Sequence, residues 1–286
     1  MRADIRVSLI QAPIIWENRR ANLTRLEERL GSLINQTDLA VLPEMFTTGF
    51  SMAPERLADA SDGETIRTVR RWAETFGFAI AGSFIVQEGG HFYNRAFLVT
   101  PSGETFYYDK RHLFRMAGED KSYTPGSRRI IIPYLGWNIC LQICYDLRFP
   151  VWSRNLNCEY DLLIYVANWP EARAAAWQPL LLARALENQA YVCGVNRTGI
   201  DGKGFRYRGD SVLFSPKGKK IADAADHEEV ILTCTLSASE QESFRMKFPV
   251  WKDADEFELS LGKQKKILGV GFRRSILRKD YLMWRL

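Results

Sequence analysis

Short apolar runs bounded by turn residues alternate with segments of helical spacing along most of the chain, and that alternation leaves few architectures open. Residues 5–11 alternate apolar and polar as a strand does, and Pro13 closes the run. Residues 17–33 then place Leu23, Leu26, Leu30 and Leu33 at helical spacing, and a second strand at 38–42 runs into Pro43 and Glu44. The pattern continues with a helix at 65–76, strands at 78–86 and 92–100 joined by the Gly89-Gly90 turn, and a strand at 105–109 that ends at Lys110. After a polar loop at 111–127 come strands at 130–132 and 137–143, a helix following Pro150, a strand at 161–167 and a helix at 172–189 built from strong helix formers. Short strands at 191–196, 211–214, 220–222 and 230–235 complete the series. Strands interleaved with helices, several of them nearly all apolar, predict an α/β protein whose sheets are covered by helices. So many strands would form either one sheet or two sheets packed face to face.

With 286 residues, 46% of them hydrophobic, the chain can bury one large core or two modest ones. Five cysteines spread without a close-spaced framework argue for a reducing compartment, and the opening residues lack the layout of a signal peptide. A cytoplasmic location is the expectation. The formal charge of +5 is concentrated at one end. From Gly262 onward eight basic residues face one acid, which leaves the rest of the chain at −2, so no polyanion or nucleic-acid partner is implied.

Three side chains of reactive type follow directly on predicted strands: Glu44, Lys110 and Cys144. In α/β folds ligands sit at the carboxyl ends of strands, so residues far apart in sequence can converge there. Along 138–144 the period of two puts Cys140, Gln142 and Cys144 on one face and Ile139, Leu141 and Ile143 on the other. A thiol at the lip of a strand, ahead of a helix, is a place for a nucleophile of lowered pKa, although most free cysteines are simply small buried hydrophobes. A thiol, a carboxylate and an ammonium suffice for acyl transfer: the carboxylate takes the thiol proton and later activates water, and the ammonium holds the negative oxygen. Other schemes lack parts. Of three histidines only His112 falls near such a site, no Gly-x-Ser-x-Gly elbow exists, and neither metal-ligand spacing nor a nucleotide-binding glycine loop is present, so no metal or cofactor is expected.

The segments Pro43-Glu44-Met45-Phe46, 109–114 (DKRHLF) and 144–150 (CYDLRFP) together resemble the nitrilase superfamily of carbon-nitrogen hydrolases, most closely its bacterial omega-amidase branch. Two further segments fit, 167–170 (ANWP) and 183–191 (ARALENQAY), and the likeness runs from about Ile5 to Phe257. The resemblance implies a four-layer α-β-β-α sandwich and a Glu-Lys-Cys triad on Glu44, Lys110 and Cys144. It also implies a homodimer or higher homo-oligomer, and a second glutamate after the lysine, for which Glu119 is the nearest candidate. The expected chemistry is attack of Cys144 on an amide carbonyl, with Lys110 and the backbone N–H of Tyr145 at the oxyanion. The branch implies a small linear amide with a distal carboxylate, such as 2-oxoglutaramate. Arg173 is the candidate partner for that carboxylate, Arg148 is read as an anchor of the turn after the nucleophile, and Phe46, Phe114 and Trp169 are candidate pocket walls. A nitrile-hydrolysing enzyme and a non-catalytic scaffold of the same fold are the alternatives.

The hydrolase domain is thus expected at 1–257, with a basic tail at 258–286 that the resemblance does not cover. Ile276, Leu277, Tyr281 and Trp284 fall at roughly helical spacing beside arginines. Packing on a partner protomer, contact with a membrane surface and an extension without function are the three readings of it.

Overall fold

Two sheets stack face to face, and their order follows from which strands are apolar on both faces. The computed structural model describes residues 2–255 and 257–259. The first sheet runs Val230–Leu236, Ile5–Gln11, Leu39–Val41, Ala79–Glu88, His91–Val99 and Thr105–Asp109, with the short Asp59–Ala60 also paired to Ala79–Glu88. The second runs Lys220–Asp223, Val212–Phe214, Tyr191–Asn196, Leu162–Ala167, Trp137–Ile143 and Ile131–Tyr134. Parallel pairs lie at the centre of each, Leu39–Val41 between two parallel neighbours and Leu162–Ala167 likewise. Central strands of that kind are buried on both faces, which explains the near-continuous apolar runs.

The period of two sorts side chains into layers. Val7 and Leu9 from one sheet meet Ile139, Leu141, Ile143, Ile164 and Val166 from the other in the core between them. On the outer side of the first sheet, Leu23, Leu26 and Leu30 of the helix Arg19–Gly31 and Ile66, Val69 and Trp72 of the helix Glu64–Phe76 cover Ile10, Ala40 and Ile80. Trp177, Leu181 and Ala185 of the helix Trp177–Asn188 cover Cys140, Leu163 and Val192 of the second sheet. Each buried aliphatic side chain contributes about 1.5–3 kcal/mol against the entropy of ordering the chain. The result is the expected α-β-β-α sandwich. Local signals set the helix ends: the Asn18 side chain accepts from the Ala21 N–H at 3.1 Å, and Gly77 closes its helix at φ 78°.

Several elements depart from the sequence expectation. The helix expected at 172–189 begins as a 3₁₀ segment, Glu171–Ala176, and becomes α-helical only at Trp177. Pro179 has no N–H and fits only the first turn of an α-helix, so the regular helix starts no earlier. The helix after Pro150 is a single turn, Pro150–Ser153. The helix Ala238–Lys247 and the hairpin of Thr198–Ile200 with Arg206–Arg208 were not anticipated.

At the starting ends of the second sheet's strands, Asp161 binds Arg2 at 2.5 Å and Arg245 at 2.8 Å and accepts from the Asn138 N–H at 3.0 Å. Among the described residues no helix is long and apolar enough to cross a membrane. The tail, from Ser260 onward with its four spaced apolar residues, lies outside the described residues.

Candidate active site

At the opposite, carboxyl-terminal ends of the strands, the chain brings three distant segments to one place. Glu44 follows Leu39–Val41, Lys110 follows Thr105–Asp109, and Cys144 follows Trp137–Ile143. The Lys110 ammonium donates to Glu44 Oε1 at 2.9 Å and to Glu119 Oε1 at 3.0 Å, and all three side chains are fully buried. Glu44 Oε1 also accepts from the Asn94 side-chain amide at 2.7 Å, while Oε2 accepts from the Asn168 backbone N–H at 2.7 Å. Glu119 is held in turn by the Phe114 N–H at 2.5 Å.

The two carboxylates lock the ammonium in its charged form, outweighing the burial that opposes it, so the Lys110 pKa stands above the usual lysine value. Burial raises the Glu119 carboxyl, with Lys110 opposing and Glu44 reinforcing. The Cys144 thiol is pushed well above its ordinary value, by burial first and then by the Glu44 carboxylate, against the pull of Lys110. This corrects the expectation of a nucleophile with lowered pKa. The segment after Cys144 is a 3₁₀ turn, Cys144–Arg148, followed by one helical turn, too little aligned backbone to supply a strong dipole. The thiol therefore rests protonated beside a carboxylate placed to take its proton.

Backbone strain accompanies this arrangement. Cys144 has φ 45° and Met45, next to Glu44, has φ 44°, both in the left-handed region that non-glycine residues seldom occupy. Asp146 holds the turn at the sulfur, accepting from the Ile143 N–H at 3.0 Å, the Tyr108 hydroxyl at 2.8 Å and the His112 N–H at 2.9 Å. Tyr145 lies in the first turn of the 3₁₀ segment, where a backbone N–H has no acceptor within the helix.

Residues 6–246 match the carbon-nitrogen hydrolase family. The chain belongs to that family. It is 47% identical over 255 residues to omega-amidase YafV of Escherichia coli, covering 89% of this chain and 98% of that one. It is 31% identical to the 2-oxoglutaramate amidase of Bacillus subtilis, covering 86% of this chain and 96% of the other. A carbon-nitrogen hydrolase superfamily protein of Xanthomonas campestris, whose crystal structure carries an arsenic adduct in the active site, superposes with a TM-score of 0.88 at 40% identity. That match covers 90% of this chain and 100% of the other.

In this carbon-nitrogen hydrolase a cavity of about 360 Å³ opens beside Cys144 and Lys110. Phe114, Tyr145, Trp169 and Arg173 line it, as does Phe50, which the sequence reading did not single out. Phe46 is not brought there. It is 1% exposed and packs edge-on against Phe97 in the outer core, because the turn at Met45 carries the next side chain away from the site. Arg148 also departs from its expected place: it lines the cavity with its guanidinium over the Trp169 ring at 5.0 Å, and the turn is anchored by Asp146 and by Arg184, which donates to the Leu147 carbonyl at 2.7 Å. Arg173 lies over the Phe114 ring at 4.8 Å. Among the described residues neither arginine has an acidic partner within 4.0 Å, so both are available to an anion in the cavity.

Asn94, Ser83 and Asn168 were missed as site residues. Ser83 did leave a signal, since it is the one polar side chain in the buried part of its strand, whereas Asn94 is followed directly by the buried Arg95.

Proposed function

We propose that this carbon-nitrogen hydrolase is an omega-amidase that converts a small linear amide with a distal carboxylate, such as 2-oxoglutaramate, into the dicarboxylate and ammonia. The observation that carries this reading is a single buried ammonium shared by two carboxylates beside a cysteine at a cavity mouth that also holds two acid-free arginines.

Glu44 takes the Cys144 proton as sulfur attacks the amide carbon, and the oxygen that becomes negative is held by Lys110 and the Tyr145 N–H. Glu44 returns the proton to the departing nitrogen, so ammonia leaves and a thioester remains on Cys144. Water then attacks the thioester carbon, its proton going to Glu44 and on to the sulfur, and the carboxylic acid is released. Glu119 fixes Lys110 and offsets its charge. Arg148 and Arg173, each with its guanidinium over an aromatic ring, take the distal carboxylate, a task the planar guanidinium fork suits.

Five unpaired cysteines accord with a cytoplasmic enzyme, and no cofactor enters this scheme. Exposed Val151 and Leu186, on the helices outside the second sheet, give the face on which we place a partner protomer. Side-by-side ammonia release from 2-oxoglutaramate and from its matching nitrile tests the reading. Amide turnover that falls by about 10⁴-fold or more in Cys144→Ala is expected. Turnover confined to the nitrile, or retained by Cys144→Ala, overturns it.

A further inference from the structure

Four polar groups form a closed relay around the base, and only its last member has so far been given a role. The Met45 N–H donates to the Ser83 hydroxyl at 2.9 Å. A hydroxyl that accepts in this way has its own proton left to give, and Asn94 Oδ1 takes it at 3.1 Å. That contact fixes which way the Asn94 amide faces. Its nitrogen then points at the carboxylates and donates to Glu44 Oε1 at 2.7 Å and to Glu119 Oε1 at 3.2 Å. Ser83 and Asn94 are fully buried, so water cannot substitute for either.

We infer that Asn94, oriented by Ser83, is a positioning residue that holds Glu44 aimed at Cys144 by bridging the two carboxyl groups with a neutral donor. The inference rests on Glu44 being the base. Lys110, Glu119, Cys144, Tyr123 and Tyr207 are the titratable groups that act on or respond to the Glu44 charge, and Lys110 is the one cation among them. One ammonium between two carboxylates leaves an excess of negative charge, and a neutral N–H pair relieves it without adding charge of its own. The relay also starts from the peptide N–H directly after Glu44, at the strained Met45, so it ties the backbone that carries the base to the carboxylate itself.

The test compares Asn94→Leu, Asn94→Asp and Ser83→Ala with the wild type across pH by two readouts. One is kcat/KM for ammonia release from 2-oxoglutaramate. The other is the rate at which iodoacetamide alkylates Cys144, which displaces iodide and breaks no carbon-nitrogen bond. In Asn94→Leu the acid limb of both profiles is expected to move up by about one to two pH units, the size of a lost hydrogen bond to a charged group. Ser83→Ala is expected to move both limbs the same way by less than one unit, and it serves if Asn94→Leu does not fold. Asn94→Asp sets a third carboxylate against Glu44 and Glu119, so its activity is expected to be at least about 10²-fold down at neutral pH and to recover as pH falls and the new carboxyl gains a proton. Acid limbs that stay at the wild-type pH in both Asn94→Leu and Ser83→Ala, with only a uniform fall in rate, overturn the inference. So does an Asn94→Asp enzyme as active as wild type at neutral pH. If the wild type releases no ammonia, the amide reading fails while alkylation still decides the role of Asn94.

Discussion

The strands Trp137–Ile143 and Leu162–Ala167 carry a buried ionic cluster at each end, and the two clusters are built on opposite plans. At the starting end one carboxylate, Asp161, sits between two guanidiniums with the Glu242 carboxylate 3.9 Å from Arg2, and both guanidiniums have further partners: Arg245 also reaches the Gln189 and Tyr160 carbonyls at 3.0 and 2.8 Å, and Arg2 reaches Gln241 at 2.8 Å and lies over Trp137 at 4.0 Å. At the finishing end one ammonium sits between two carboxylates, and it donates to nothing else among the described residues. The first cluster is held by hydrogen bonds on nearly every donor, and of its members only Arg245 lines a cavity, one of about 450 Å³ that neither Asp161 nor Arg2 lines. The second carries surplus negative charge and opens onto a cavity beside a thiol. A buried ion pair is weak evidence for stability by itself. What separates a clasp from a site here is whether the charges are balanced by the fold or left for a substrate to complete.

The largest expected effect breaks the second cluster. Lys110→Met removes the oxyanion partner and the shared cation, so turnover is expected to fall by about 10⁴-fold, and Glu44 and Glu119 are left facing each other, at a cost of about 3–5 kcal/mol in denaturant unfolding. Adding Glu119→Gln to Lys110→Met takes away the repulsion. Stability is expected to return in large part and activity not at all. Recovery of turnover in the double variant would show that Lys110 acts only as a structural counter-ion.

Breaking the other cluster should invert that outcome. Asp161→Leu strands two partly buried guanidiniums and is expected to lower stability by about 3–5 kcal/mol, while kcat for the molecules that remain folded stays within about twofold. Urea unfolding and ammonia release on the same preparation measure both. A tenfold fall in kcat with unchanged stability would mean that the two strand ends are coupled.

The sequence made one of these ends legible and left the other unread. Glu44, Lys110 and Cys144 each stop an apolar run, and the rule that ligands gather at the carboxyl ends of strands is enough to suspect that they meet. The strand pattern by itself left one sheet or two, and the four-layer sandwich came from the resemblance to the nitrilase superfamily. Residues whose meaning depends on direction were harder. Phe46 is adjacent to Glu44 in the chain, yet the left-handed turn at Met45 sends it into the outer core. Arg148 was expected to hold the turn, but Asp146 already supplies the acceptors that the turn needs, which leaves the guanidinium to the cavity. The helix Ala238–Lys247, which carries Arg245 to Asp161, has only Ala238 and Gln241 buried, so its apolar pattern is too sparse to read. The clasp is made of charged residues that look like any solvated surface until the fold closes over them.

A smaller effect sharpens the account of the cavity side. Arg148→Met and Arg173→Met are each expected to raise KM for a carboxylate-bearing amide about tenfold, with kcat within about threefold, because a contact to the remote end of the substrate is made alike before and during the reaction. An amide of the same length without the carboxylate should be indifferent to both changes. If only one arginine matters, that one binds the carboxylate and the other serves to wall the cavity.

The smallest effect concerns two sulfurs of one strand. Cys140 lies in its middle and Cys144 just past its end, and burial raises both thiols, Cys140 to about 12 and Cys144 well above the ordinary value. Above pH ~8.5 the unfolded chain gives up these protons and the folded chain keeps them. Since the unfolded state then binds fewer protons, stability must fall as pH rises, by about 1.4 kcal/mol per pH unit for each such thiol. Cys140→Ser and Cys144→Ser are therefore expected to reduce the steepness of that fall by the same amount between pH 8.5 and 10, measured by urea unfolding, whatever they do to stability at neutral pH. Turnover should vanish in Cys144→Ser alone, and iodoacetamide should label Cys144 at least about a hundredfold faster than Cys140, because only the lip sulfur has a carboxylate to receive its proton. Equal labelling would mean that exposure alone, rather than Glu44, distinguishes the two.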